Sequence, residues 1–201
     1  MEICLEEFAK AIPGWYEKYK LSKYWHGYCE LLDNLPAKAA RYGHLDLEDL
    51  YAIAVWGGSQ HGIKQRLKSH NTDWEVRAKT AEAIRYFEQP KWAIGAVLDL
   101  EHWGLTYASK TLLFMNPKSY VALDRWIHTG LEHVLPTIRD ADRASTIRGY
   151  LAFLDICREL QANIQKIGPG PQGEWRLGDI QQAVFQFAQS GGVITGRKSV
   201  P

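Results

Sequence analysis

Apolar positions along this chain recur at intervals of three and four residues, and almost no segment alternates with period two; the pattern predicts an all-α fold. Glu2–Ile12 reads as a short helix stopped by Pro13-Gly14, and Trp15–Leu32 as a second, with Trp15, Tyr19, Tyr28 and Leu32 as candidate buried positions. Leu47–Val55 makes a third that ends at Gly57-Gly58, and a shorter helix covers Ile63–Lys68. The clearest start comes next. Thr72 and Glu75 stand at capping-box spacing, and Trp74, Ala78, Ala81, Ile84 and Phe87 follow at helical intervals. Pro90 opens a helix over Trp92–Leu100, which Gly104 ends. Leu123–Val134 and Arg143–Lys166 follow, the latter with Ile147, Tyr150, Leu154 and Cys157 in one stripe. After an Ile167–Gly173 loop, a last helix over Asp179–Gln189 buries Ile180, Val184, Phe187 and Ala188, and Gly191–Pro201 reads as a flexible tail.

The stretch from Trp103 to Pro117 departs from an ordinary amphipathic pattern. Lys110 sits early in a helix and is followed at once by Leu112, Leu113, Phe114 and Met115, before Asn116-Pro117 ends the run and Asp124 opens the next. A lysine among such neighbours either snorkels to water on its long stem or is held there for its amine.

Composition narrows the classes. With 201 residues, 46% of them hydrophobic, the chain can build a substantial core. Its net charge of +1 gives no global preference for a polyanion, although residues 64–91 carry a local basic excess: Lys64, Arg66, Lys68, Arg77, Lys79, Arg85 and Lys91. Cys4, Cys29 and Cys157 form no C-x-x-C pair and no disulfide framework, so they read as reduced, in a cytoplasmic setting. No leader is apparent, and no apolar run reaches the roughly 18 residues of a membrane span. His26 and Cys29, three apart, lack a second pair that would complete a metal site, so neither metal nor cofactor is expected.

Helix, short turn, helix, with a lysine inside the second helix and an aspartate beyond its end, is a set that suits one reaction. Breaking the C–N bond between a base and its sugar passes through an oxocarbenium-like state. It calls for a nucleophile at the anomeric carbon and a carboxylate to stabilise the developing charge. A neutral lysine amine attacks and forms a Schiff base. Asp124 can equally be a plain helix cap. Ser109 beside Lys110 makes no hydrolase dyad, because adjacent helical residues point about 100° apart.

The string Thr106-Tyr-Ala-Ser-Lys110-Thr-Leu-Leu-Phe-Met, followed by Val121-Ala-Leu-Asp124-Arg-Trp126, resembles the helix-hairpin-helix DNA glycosylase superfamily, and most of all its 8-oxoguanine DNA glycosylase-like branch. The resemblance implies that Lys110 is the Schiff-base lysine and Asp124 the catalytic aspartate. It places Trp56-Gly-Gly-Ser-Gln60 at the turn that touches DNA beside the flipped nucleotide. In the last helix, either Gln181 or Gln182 matches the glutamine that reads the base edge, and Phe185 the ring that stacks on it. Trp56 and Trp126 join these as candidate substrate contacts. The chain departs from the family at Thr106 and Ala108, which stand where the hairpin usually has glycines, and at Trp126, where a histidine is common. It also lacks the four-cysteine cluster of one branch.

The expectation is an all-α domain over residues 1–190, with two lobes (1–44 plus 135–190, and 45–134), a helix-hairpin-helix element and a cleft between the lobes. Its activity would be excision of an oxidised purine from DNA, with strand cleavage to follow. Two alternatives remain: a nucleic-acid-binding module without chemistry, and a helical protein–protein adaptor.

Overall fold

The computed structural model describes residues 1–58, 62–139 and 142–196. Among these the protein is almost wholly helical. Ten helices run in chain order: α1 (Leu5–Lys20), α2 (Trp25–Tyr42), α3 (Leu47–Trp56), α4 (Ile63–His70), α5 (Asp73–Arg85), α6 (Pro90–Leu98), α7 (Leu105–Met115), α8 (Arg125–Gly130), α9 (Arg143–Ile164) and α10 (Leu177–Gln189). Two short strands, β1 (Glu2–Cys4) and β2 (Val193–Thr195), pair in parallel with Ile3 opposite Ile194. No helix among the described residues is long and apolar enough to cross a membrane.

The chain forms two compact units, residues 1–23 with 123–201, and residues 24–122. In the first, α1 packs on α10 and α9, and α8 on α10. Phe8, Ile12, Tyr16 and Tyr19 line one face of α1, and Phe8 and Trp15 meet Phe187 at ring separations of 5.1 and 5.2 Å. Gly130 lets α8 approach closely, since a Cβ there would come 2.6 Å from the Cβ of Ala188. In the second unit, α2 packs on α7 and α3, α6 on α5 and α7, and α3 on α4. Its two best-defined starts are capping boxes, Asp46 with Asp49 on α3 and Thr72 with Glu75 on α5.

Several elements differ from the expected ones. Pro13 does not stop α1, which runs through it to Lys20. Pro13 and Gly14 are exposed, while burial of the continuous Phe8–Ile12–Tyr16–Tyr19 face outweighs a proline cost of about 3 kcal/mol. The break falls instead at residues 21–24, where Leu21 closes the helix by donating to the Lys18 carbonyl. Consequently α2 belongs with the middle of the chain, and the units divide at 23/24 and 122/123 rather than at the expected 44/45 and 134/135. On α5 the buried stripe is Val76, Thr80 and Ala83, and Trp74 is exposed. Thr80 selects that face, because its hydroxyl and the Leu45 backbone hydrogen-bond one another at 3.0 Å. The helix expected over Leu123–Val134 is only α8. Within the stretch expected as a tail, Val193–Thr195 pairs with β1 and buries Ile194, as β-branched residues favour.

Candidate functional site

Lys110 lies in the second turn of α7, the helix that follows α6 across residues 99–104. Gly104 precedes the helix in an extended conformation, and every residue from Ala108 to Met115 is buried. A helix buried at all eight of these positions keeps most of its lysine from water, and Lys110 is only 7% exposed.

Its Nζ lies 5.0 Å from the ring centroid of Trp56 and 5.5 Å from that of Tyr107, both within the range in which a cation and a ring face attract. Each wall is itself supported. The Trp56 indole N–H donates to the Tyr24 carbonyl at 3.1 Å, and its ring meets Phe114 edge-on at 4.9 Å. Tyr107 lies against Trp103 at 4.9 Å, and the Trp103 indole donates to the Thr111 hydroxyl at 3.0 Å. Gly57 completes the chamber by leaving room: a Cβ there would fall 3.0 Å from Nζ and 3.1 Å from the Tyr107 ring. The backbone at Gly57 (φ −72°) would suit any residue, so it is space that the glycine supplies. Ser109 is fully buried and donates to the Thr106 carbonyl at 3.2 Å. An amine held between two aromatic faces beside a glycine is a nucleophile whenever it is unprotonated.

The unit therefore brings Lys110 and Trp56 together. The remaining expected residues belong to the other unit, except Gln60, which lies outside the described residues. Asp124 is half-buried and N-caps α8, its Oδ1 accepting from the Ile127 N–H at 3.0 Å. Trp126 is 45% exposed, with the Arg125 guanidinium 5.7 Å over its ring, and so is not a core residue. Gln181 and Gln182 are both buried, and Gln182 Nε2 donates to Gln181 Oε1 at 3.0 Å. Phe185 is buried edge-on to Tyr19 at 6.1 Å. The turn before these glutamines is fixed by Arg176, whose guanidinium grips the buried Asp179 carboxylate through two hydrogen bonds, of 2.9 and 2.7 Å.

Among the basic residues of 64–91, Arg77 pairs with Asp73 and Lys79 with Glu82 and Asp99, while Lys64 and Lys91 lie over the rings of Tyr51 and Trp92. His26 pairs with Glu30 one turn along α2. Cys4 and Cys157 are buried, and burial pushes the Cys157 thiol far above its usual range. Sequence reasoning missed Tyr107 and Gly57 as walls of the chamber. Tyr107 stands three residues before Lys110, a spacing that puts both on one helix face, and was there to be read. Gly57 carries no such signal.

Comparison with known proteins finds no relative: no family model, no curated protein and no solved structure matches the chain.

Proposed function

We propose that the protein is a DNA glycosylase that removes an oxidised purine, 8-oxoguanine first, and then opens the strand by a lyase step. The reading is supported chiefly by the held amine: Lys110 is 7% exposed, and its Nζ rests against the faces of Trp56 and Tyr107. In this reading α6, residues 99–104 and α7 form the helix-hairpin-helix element. The damaged nucleotide is rotated out of the stack at a cost of a few kcal/mol, which a lesion reduces. The amine of Lys110, once unprotonated, forms a bond to the anomeric carbon. The glycosidic C–N bond breaks, and its electron pair leaves with the base, which takes up a proton. Loss of the amine proton and opening of the sugar ring give the Schiff base. Asp124 takes the charge-stabilising role that the resemblance assigns it. Gln181 or Gln182 reads the base edge, Phe185 stacks on the base, and Trp56, Trp126 and Gln60 flank it. Phosphates are met by basic residues of 64–91, so binding weakens with salt. The activity belongs in the cytoplasm, where thiols stay reduced.

Borohydride trapping on a panel of lesion-bearing oligonucleotides tests this. A covalent adduct is expected with at least one lesion and absent in Lys110→Gln. No adduct with any lesion refutes the enzyme. Salt-sensitive binding without an adduct would favour a nucleic-acid-binding module, a reading that draws on the exposed Trp92 beside Lys91.

A further inference from the structure

The last residue of α4 and the turn before α7 bring two imidazoles and a carboxylate together. His70, Glu101 and His102 are all exposed, and one ligand atom from each lies within 4.8 Å of the other two. The two imidazole rings are in contact, with centroids 4.2 Å apart and planes at 69°. In sequence the two histidines are far apart, and only the packing of this unit joins them.

Three features organise the group. The backbone beneath it is clamped by the buried Asn71. Its amide donates to the Glu101 carbonyl at 2.9 Å and to the Leu67 carbonyl at 3.0 Å, and its oxygen accepts from the Glu101 N–H at 2.9 Å. The end of α4 and the turn are thus tied before any ligand arrives. The His70 ring is also set. Its Nδ1 lies 2.9 Å from the Arg66 carbonyl. A carbonyl can only accept, so Nδ1 carries the proton and Nε2 the lone pair, which is the tautomer that carbonyl-bonded metal ligands adopt. Finally, His102 holds φ at 58°, a left-handed conformation that side-chain-bearing residues avoid and glycine takes freely. A histidine stands where the backbone favours glycine.

We propose that His70, Glu101 and His102 bind a first-row divalent metal ion of the Zn²⁺ or Ni²⁺ class. Two imidazoles with one carboxylate suit these ions and not Ca²⁺ or Mg²⁺, which take oxygen ligands. Ligands about a zinc ion stand roughly 3.4 Å apart, as bonds of about 2.0–2.2 Å in a tetrahedron require. Exposed side chains close the gap from 4.8 Å by rotating about their own bonds. Three protein ligands leave a fourth position to water. The ion would staple α4 to the turn that leads into α7. This proposal does not depend on the excision chemistry.

Titration of the tag-free chain with Zn²⁺ alone, followed by calorimetry, with Co²⁺ as a spectroscopic probe, tests it. One ion per chain is expected, together with a rise in melting temperature and Co²⁺ absorption free of thiolate character. His70→Ala and His102→Gly should each weaken binding by roughly tenfold or more. His102→Gly is the more informative variant, because its backbone suits glycine and the protein should melt no lower than wild type without metal. Glu101→Gln gives a third readout that leaves both histidines in place. Binding weaker than about 1 mM, or undiminished in the His70→Ala/His102→Gly double variant, overturns the site.

Discussion

Two lysines of the 24–122 unit are drawn out of water in opposite ways. Lys38 on α2 reaches the start of α3, where its ammonium meets Asp46 and Asp49, each at 2.7 Å. Burial pulls its pKa down, but the hydrogen bonds and charges of the two carboxylates more than offset this, and the net direction is up. Lys110 on α7 is buried more deeply and set against two ring faces. The first arrangement fixes a proton and joins two helices. The second packs an amine against two rings and a glycine, where an added Cβ would meet Nζ at 3.0 Å. Burial of a lysine is therefore a poor guide to its role; what surrounds the nitrogen says more.

The comparison breaks most readily at Lys110 itself. Lys110→Gln keeps a polar side chain one atom shorter and removes the amine. Trapping should fall on the order of 10³-fold or more, while thermal melts change little. An adduct that survives the substitution would mean another amine does the work. Gly57→Ala is the next largest. The new Cβ would press on Nζ at 3.0 Å, on the Tyr107 ring at 3.1 Å and on the Ile53 carbonyl at 3.2 Å. Moving a reacting group by about 1 Å costs roughly 10²-fold in rate; contacts of 3.0–3.2 Å ask the neighbours to give by only a few tenths of that, so trapping should drop on the order of tenfold in a protein that still folds. Equal trapping in Gly57→Ala would show that the chamber is not where the chemistry occurs.

How much of this was open to a reader of the sequence follows from which forces are local. Helix class, the Thr72–Glu75 box and the apolar run after Lys110 are local and were legible. The extent of α1 was not, because a proline signal acts within one turn, whereas the face that overrides it is completed by α10 far along the chain. Trp74 misled for a similar reason: period alone does not say which of two stripes is buried, and the Thr80–Leu45 hydrogen bonds decided it. At the candidate site, Lys110 was legible from its neighbours, but the Trp56 wall depends on a bond to Tyr24 and on Gly27, where a Cβ would sit 3.0 Å from the indole. The His70–Glu101–His102 group could not be read at all, since no ligand spacing links its halves.

Lys38 supplies the converse test. Lys38→Met leaves the Asp46 and Asp49 carboxylates facing one another without their shared cation and should cost about 1–3 kcal/mol, with trapping unchanged. The pH dependence is specific. A lysine whose pKa is raised on folding contributes its full stability below the ordinary value of 10.5 and loses it as the pH climbs through the folded value. Wild type should therefore lose its advantage over Lys38→Met above pH 10.5 in denaturant melts. Tyr51, also raised by burial and by Glu48, loses stability in the same range, but both proteins share it and it cancels in the difference. A gap that persists unchanged at high pH would mean that packing of the stem, not the ion pair, is what Lys38 contributes.

Trp56→Phe is the finest of these tests, since it separates the ring face from the indole's own bond. Phenylalanine keeps an aromatic wall beside Lys110 but leaves the Tyr24 carbonyl without its 3.1 Å donor, at a cost of about 1 kcal/mol. Trapping should fall only a few-fold, and Trp56→Leu, which removes the face altogether, should fall further. If the two variants are equal, the ring is mere bulk. If Trp56→Phe falls as far as Lys110→Gln, the wall matters for the position that Tyr24 gives it, and the contrast between the two lysines rests on geometry set by α2 rather than on aromatic faces.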